Sequence, residues 1–413
     1  MEVKMRRTKL IYGILVLMLT VFLCACSKNA NDKDDEIKNN ITITPNIEQP
    51  SKIPTATPIE PTNTPTVTPT QPPEEMSESM QVAKSLMSTM TIEEKVAQMF
   101  FVRCPEENAN EVMKEYQFGG YLLFARDFEN ETKESVSQKV AKYQENSKIP
   151  AFIGVDEEGG TVNRVSKYKA FRDKPFESPS VLYKKGGFDE IRKDTEEKTN
   201  LLLSLGININ FAPVCDVPNK SEDFIYARAF GTDVEETSKY VTLVVETMKK
   251  MGIGSVLKHF PGYGNNVDTH TGIAYDKRDY ETFQNIDFLP FKAGIDAGAP
   301  FVLVSHNIVE CMDDKLPASL SESVHKVLRN QLGFQNLIIT DDLSMDAITT
   351  YTGDQAAAVL AVEAGNDMLC CTNYKEQITA VVNAVNSGRI TEERIEESVL
   401  RILQAKYDMG IIE

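Results

Sequence analysis

An α/β fold, a single (β/α)8 barrel of the TIM type behind an export signal and a disordered tether, is what this chain predicts. Two observations carry the prediction. Eight continuous apolar runs of strand length recur between residues 96 and 373, and charged segments with helical periodicity separate them. Strands that are apolar on both faces, each followed by a helix, imply a parallel sheet covered on both sides, and eight such units in about 330 residues suit closure. A doubly wound open sheet is the alternative. It ordinarily has fewer strands and a glycine-rich phosphate loop after the first, and no such loop follows the first run here.

The first element is residues 1–25. A basic start, MEVKMRRTK, precedes the apolar run LIYGILVLMLTVFLCA, which is short for a permanent span and ends at small residues before a cysteine. This pattern reads as an export signal. The sequence Leu23-Cys24-Ala25-Cys26 resembles the bacterial lipoprotein cleavage box, which implies that Cys26 is lipidated and becomes the new N-terminus; an ordinary cleaved signal or an uncleaved anchor is the plainer reading.

Residues 26–80 form the second element. Their composition shifts to Asn, Asp, Lys, Thr and Pro, as in PTATPIEPTNTPTVTPTQPPEE, and such a segment lacks the apolar residues to build a core. A proline-rich chain extends by about 3.1 Å per residue, so these roughly 55 residues reach on the order of 150 Å at most. That suits a tether lifting a domain from a membrane into a cell wall, and places the protein on the outer side of that membrane.

The third element, 81–413, holds the eight runs. They are VAQMFFVRC (96–104), GGYLLFAR (119–126), PAFIGVD (150–156), ININFAPVCD (207–216), GIGSVLKHF (252–260), PFVLVSH (300–306), NLIITDD (336–342) and NDMLCCTN (366–373). Between them lie helix candidates such as ETKESVSQKVAKYQENS, VEETSKYVTLVVETMKKM, SESVHKVLRNQLG and GDQAAAVLAVEAG. Cysteines 104, 215, 311, 370 and 371 show no CxxC pair and no metal-ligand spacing. Their odd number leaves at least one thiol free, and most read as small core residues.

Composition excludes some partners. Of the 413 residues, 41% are apolar and 25% charged, a globular average, and the net charge is −17. A phosphate-binding surface needs a basic stripe, and none is present beyond the N-terminus, so nucleic acid is not an expected partner.

Polar side chains collect at the carboxyl ends of the runs: Asp156 at the third, Asp216 at the fourth, Lys258 and His259 at the fifth, His306 at the sixth, Asp341 and Asp342 at the seventh. In a barrel that end is the functional face, where residues of different strands converge on one mouth. Each alone could cap a helix or be a satisfied core group, and for Asp216 and Asp342 that reading stands level with the functional one.

Which chemistry these residues support is narrowed by absences. There is no HExxH, no His/Cys cluster at metal spacing, no GxSxG and no Walker loop, so no metal or organic cofactor is expected. An aspartate at a strand end can attack an anomeric carbon, provided that a second group protonates the leaving oxygen and later activates water. Histidine can do this near neutral pH, and an aspartate beside it can orient the ring. Asp268-Thr269-His270, in a loop rich in glycine and asparagine, has that form; DxH triplets also arise by chance, and a solvated loop histidine is the ordinary alternative.

From about residue 85 to 410 the chain resembles glycoside hydrolase family 3, specifically its bacterial β-N-acetylglucosaminidase branch. GVDEEGGTVNRV (154–165) resembles the D-x-EGG segment whose aspartate holds sugar hydroxyls, which implies that role for Asp156. FAPVCDV with the later YARAFG resembles the segment whose arginine contacts the sugar, here Arg228. KHFPGYGNNVDTH resembles KHFPG-x-G-x4-D-[ST]-H, which implies that Lys258 and His259 bind sugar while Asp268 and His270 form an acid/base dyad. VLRNQLGFQNLIITDDLSMDAI resembles the nucleophile signature, which implies that Asp341 attacks carbon 1. Tyr263, Asn336 and Thr161 depart from the family's usual His, Gly and Arg. The resemblance implies a retaining exo-β-N-acetylhexosaminidase that takes terminal N-acetylglucosamine from muropeptides or chitooligosaccharide-like glycans; a monomer is the expected state. A phosphorylase, a family 3 β-glucosidase and a non-catalytic wall-binding lipoprotein are the alternatives.

Overall fold

The computed structural model describes residues 76–266, 272–352 and 357–413. Within them eight parallel strands form one sheet: β1 (Phe100–Arg103), β2 (Gly120–Leu123), β3 (Phe152–Val155), β4 (Ile209–Asn210), β5 (Gly254–Phe260), β6 (Phe301–Val304), β7 (Leu337–Thr340) and β8 (Leu369–Cys371). All eight fall inside the apolar runs. The order is β7–β6–β5–β4–β3–β2–β1–β8. The ends of that order also meet: Asp367 N–H donates to Ile338 O at 2.8 Å, and Thr340 N–H donates to Met368 O at 3.2 Å. The strands thus close into a barrel, and the open-sheet alternative, which requires the order to reverse, is set aside.

Two runs yield shorter strands than expected, for local reasons. Val96–Gln98 belong to the helix Ile92–Gln98, started by a reciprocal cap between Thr91 and Glu94. In the fourth run Pro213 has no N–H to give to a ladder, so the extended pairing stops at Asn210. Backbone contact with β5 continues past it, from Val256 N–H to Ala212 O at 3.0 Å and from Cys215 N–H to Lys258 O at 2.7 Å, which sets Asp216 beside His259. The helix Val234–Met251 covers the whole segment VEETSKYVTLVVETMKKM, capped by Asp233 at its start and by Gly252, at φ 84°, at its end.

The expected start of the domain at residue 81 falls inside a helix, Glu78–Met87, so residues 78–80 are not tether. Ser77 Oγ accepts Met80 N–H at 3.3 Å, and the apolar face of this helix packs against the C-terminal helix Glu392–Asp408. Residues 1–75, with the expected signal, Cys26 and most of the tether, lie outside the described residues. Among those described, no helix is long and apolar enough to cross a membrane.

Phenylalanines fill the barrel. Phe101, Phe152, Phe211 and Phe301 pack edge-to-face or stacked, with ring centroids 5.3 to 6.3 Å apart. Gly154 in β3 makes room for them: a Cβ there would lie 2.7 Å from Phe211 and 2.9 Å from Phe101. Cys104, Cys215, Cys370 and Cys371 are buried and unpaired, as small core residues, while Cys311 is exposed.

The C-terminal helix closes the amino-terminal end of the barrel. Lys95 reaches from the preceding helix to Glu392 and Glu396 at 2.8 and 2.6 Å. Deeper in, Lys406 Nζ donates to Gln98 Oε1 at 2.8 Å and lies 5.2 Å from the centre of the Phe152 ring. Burial pushes its ammonium down to about 7. Between about pH 7 and 10.5 the unfolded chain therefore binds a proton that the folded chain does not, and stability rises with pH across that window. Lys406→Met is expected to stabilise the protein at pH 7 by about 1–4 kcal/mol. Thermal unfolding at pH 7 and pH 9 checks this, since the advantage should shrink by about 1.4 kcal/mol per pH unit.

Candidate active site

At the carboxyl ends of the strands lies a cavity of about 530 Å³, lined among others by Asp156, Glu158, Arg228, Lys258, His259 and Asp341. Five of the seven residues expected to bind or react with substrate are here. Asp268 and His270 lie outside the described residues.

The wall from β3 to β5 is a charge network. Lys258, buried at the end of β5, places Nζ 2.6 Å from Asp156 Oδ1 and 2.6 Å from Glu158 Oε1. Arg228 grips Glu158 with a fork, Nε to Oε2 at 3.0 Å and Nη2 to Oε1 at 2.7 Å. Burial pushes the Glu158 carboxyl up, but Lys258 and Arg228 outweigh that and hold it well below the usual carboxylate range.

The same Arg228 Nη2 donates to His259 Nε2 at 3.0 Å. A guanidinium cannot accept, so Nε2 is the acceptor and the proton sits on Nδ1, which donates to Asp216 Oδ2 at 2.8 Å; the tautomer is assigned by this network. Asp216, fully buried, also accepts His259 N–H at 3.1 Å and Tyr263 N–H at 2.7 Å. It is therefore a holder of His259, neither a helix cap nor a lining group. The Tyr263 ring meets His259 edge-on at 5.1 Å, so the residue that departs from the family pattern packs directly on a site histidine.

The opposite wall is the end of β7. Asp341 N–H donates to Val304 O at 3.0 Å, and its Oδ1 accepts Asp342 N–H at 2.9 Å. His306 is buried behind it. His306 Nε2–H donates to Asp342 O at 3.0 Å, while Nδ1 lies 2.8 Å from Ser319 Oγ, so this histidine pins the backbone that presents Asp341. Asp342 accepts from Ser344 N–H at 2.9 Å and from Thr372 Oγ1 at 3.1 Å, organising its own loop.

Glu158 has no place among the expected site residues. The signal was present: in an extended segment residues two apart share a side, so a site role for Asp156 implicates Glu158. Glu157 points the other way, accepting Arg164 N–H at 2.8 Å and Val165 N–H at 2.7 Å and holding Ser166 through both its backbone and its hydroxyl. The following Gly159 takes φ 99°, and a Cβ there would stand 2.3 Å from Glu177 O. Arg103, Phe124 and Arg164 also line the cavity without having been expected; Arg103 closes an apolar strand, and nothing in its local sequence marks it.

The turn after His259 rests on a second cluster. Arg278 spans Asp276 at 2.7 Å and Asp287 at 2.9 Å and donates to Gly262 O at 3.0 Å. Gly262, at φ 121°, leaves no space for a side chain, since a Cβ would lie 2.2 Å from Asp287 Oδ1. Burial pushes the Asp287 carboxyl up to about 7 in spite of Arg278. Among the described residues no group of three or more His, Cys, Asp or Glu is arranged to hold a metal ion.

Residues 91–405 match the glycosyl hydrolase family 3 N-terminal domain. The chain belongs to glycosyl hydrolase family 3. It is 31% identical over 276 residues to a family relative from Xanthomonas campestris pv. campestris named β-hexosaminidase, covering 65% of this chain and 81% of that one. It is 28% identical over 326 residues to β-hexosaminidase A of Pseudoalteromonas piscicida, covering 72% of this chain but only 54% of that one, so it spans about half the length of this second relative. Among solved structures, a family 3 β-N-acetylglucosaminidase from Paenibacillus sp. str. FPU-7 superposes with a TM-score of 0.73 at 29% identity, over 78% of this chain and 63% of that one. The match to family 3 agrees with the closed barrel and with a polar cavity at the carboxyl ends of its strands.

Proposed function

We propose that this chain is a retaining exo-β-N-acetylhexosaminidase that removes terminal N-acetylglucosamine from muropeptides or chitooligosaccharide-like glycans. The observation that carries the reading is the pairing of Asp341, held by its backbone at the end of β7, with the network of Asp156, Lys258, Arg228 and His259 in one cavity. The names of its relatives support the substrate class.

In this reading Asp341 attacks carbon 1, the bond to the leaving oxygen breaks, and His270, assisted by Asp268, gives that oxygen its proton. His270 then takes a proton from water, whose oxygen displaces Asp341 from carbon 1 and releases the sugar. Asp156, Lys258, Arg228 and His259 hold the hydroxyls through charge-assisted hydrogen bonds. The test is hydrolysis of two β-N-acetylglucosaminides, one with a poor and one with an activated leaving group. His270→Ala should lose about 10²–10⁴-fold on the first and much less on the second. An equal loss on both would remove His270 from the acid role.

The reading extends to location: Cys26 carries a lipid, residues 26–75 tether the barrel, and the enzyme faces the cell wall. Detergent phase partition of the full chain against Cys26→Ala tests this, with the wild type expected in the detergent phase and the variant in the aqueous one. Wild type in the aqueous phase would sink it.

A further inference from the structure

We propose that Arg103, stacked on Phe124 and flanked by Arg164, forms an oxyanion-binding subsite in the wall of the cavity, and that it takes a carboxylate carried by the leaving sugar. The proposal rests on the glycosidase reading and deepens it.

The cations of this cavity fall into two groups. Arg228 and Lys258 are paired with Glu158 and Asp156. Arg103, at the end of β1, and Arg164, beyond β3, have no carboxylate within ion-pair distance among the described residues, Asp127 acting on Arg103 only from farther away, and the Nε–H of each is buried without a protein acceptor. Elsewhere Arg278 pairs with Asp276 and Asp287 and Arg329 with Asp367, while Arg126, whose Nε is likewise unmatched, pairs with Glu106 through Nη1. A desolvated donor left unmatched is destabilising, and a methionine would pack on Phe124 without that penalty.

Geometry adds a direction. The Arg103 guanidinium lies 4.2 Å from the centre of the Phe124 ring, and that of Arg164 lies 5.8 Å from the same ring. A guanidinium stacked by its face keeps its edge donors for a planar two-oxygen group. In the barrel order Arg103 and Phe124 stand three or fewer strands from Asp341, and Arg164 follows β3, across from β7. The side of Asp341, Asp342 and Asp346, which line the same cavity, carries only negative charge and repels an anion. An anionic substituent is thus driven to the arginine wall, where it also satisfies the two orphan donors. A carboxylate on the leaving sugar and free phosphate share this chemistry, and the experiment separates them.

The probes are the disaccharide of N-acetylglucosamine and N-acetylmuramic acid, the methyl ester of its lactyl carboxylate, and inorganic phosphate competing against a neutral aryl β-N-acetylglucosaminide. Wild type and Arg103→Met are compared. The expected result is a preference of wild type for the acid over the ester in kcat/KM, carried mainly by KM, that falls by about tenfold or more in the variant. If the preference is missing but phosphate competes with the aryl glycoside in wild type and not in the variant, the subsite stands and the carboxylate source is overturned. No preference and no competition, or a preference that the variant retains, overturns the subsite. Should wild type fail to turn over even the aryl glycoside, the glycosidase reading fails, and calorimetric titration of wild type and variant with the acid disaccharide and with phosphate still decides the subsite: heat in wild type that the variant lacks supports it, and no heat overturns it.

Discussion

Asp341→Gly is expected to lower turnover of a β-N-acetylglucosaminide by about 10⁴-fold or more while the protein stays folded. The side chain stands at the end of β7, and the pairing of β7 is made by the backbone: Asp341 N–H to Val304 O, Thr340 N–H to Met368 O. Removing the carboxylate therefore deletes the attacking oxygen, together with the hydrogen bond it accepts from Asp342 N–H, and leaves these backbone pairings in place. The loss exceeds that of a general acid, because no covalent glycosyl-enzyme can form and the step it replaces has no other route in the cavity. Azide offers a decisive second readout. It can occupy the space left by the carboxylate and attack carbon 1 from the same face, so the variant with an activated substrate should regain activity and release the α-glycosyl azide. Turnover within tenfold of wild type, or an azide product of β configuration, would remove Asp341 from the nucleophile role.

Glu158→Ala is expected to be the most damaging substitution outside the nucleophile, in both stability and activity. Lys258 and Glu158 are each about 3% exposed, and the fork from Arg228 shares the same carboxylate. Truncating Glu158 leaves Arg228 without an ion-pair partner and Lys258 with Asp156 alone, a loss of about 3–5 kcal/mol for a broken buried pair. Because Arg228 also donates to His259, the guanidinium that loses its anchor is the one that fixes the ring's tautomer, and kcat/KM should fall by about 10²-fold or more. The pH dependence has a definite sign. With its folded value held below the ordinary 4.5, Glu158 contributes stability that is fully present above about pH 5 and is lost as pH falls toward the folded value. Denaturant unfolding at pH 7 and pH 4 should show the difference between wild type and variant shrinking in acid. A variant with wild-type midpoint and wild-type kcat/KM would show that the cluster is dispensable.

The contrast between Asp156 and Glu158 shows where local pattern stops being informative. Asp156 is legible because it ends an apolar run and sits in a recognisable segment. Glu158, Asp216 and His306 carry as much of the geometry, yet each takes its meaning from a residue far along the chain: Glu158 from Arg228, Asp216 from His259, His306 from the Asp342 carbonyl. Arg103 and Arg164 were not legible at all, since an unpaired cation is defined by what fails to come near it.

What the amino-acid sequence determined by itself was the set of strands and the end of each strand that bears function. Apolar runs buried on both faces, interrupted by helical periodicity, leave few arrangements other than a parallel sheet, and the first polar residue after each run must leave the core at its carboxyl end. Only the tertiary structure decided closure through the Ile338–Met368 contacts, the early helix at Glu78, the shortened β4 that lays Asp216 against His259, and the partition of cations into paired and unpaired. The reason is one of range. Burial pattern and capping act within a few residues, whereas charge pairing and barrel closure depend on distances between segments that lie tens to hundreds of residues apart and are brought together only by packing.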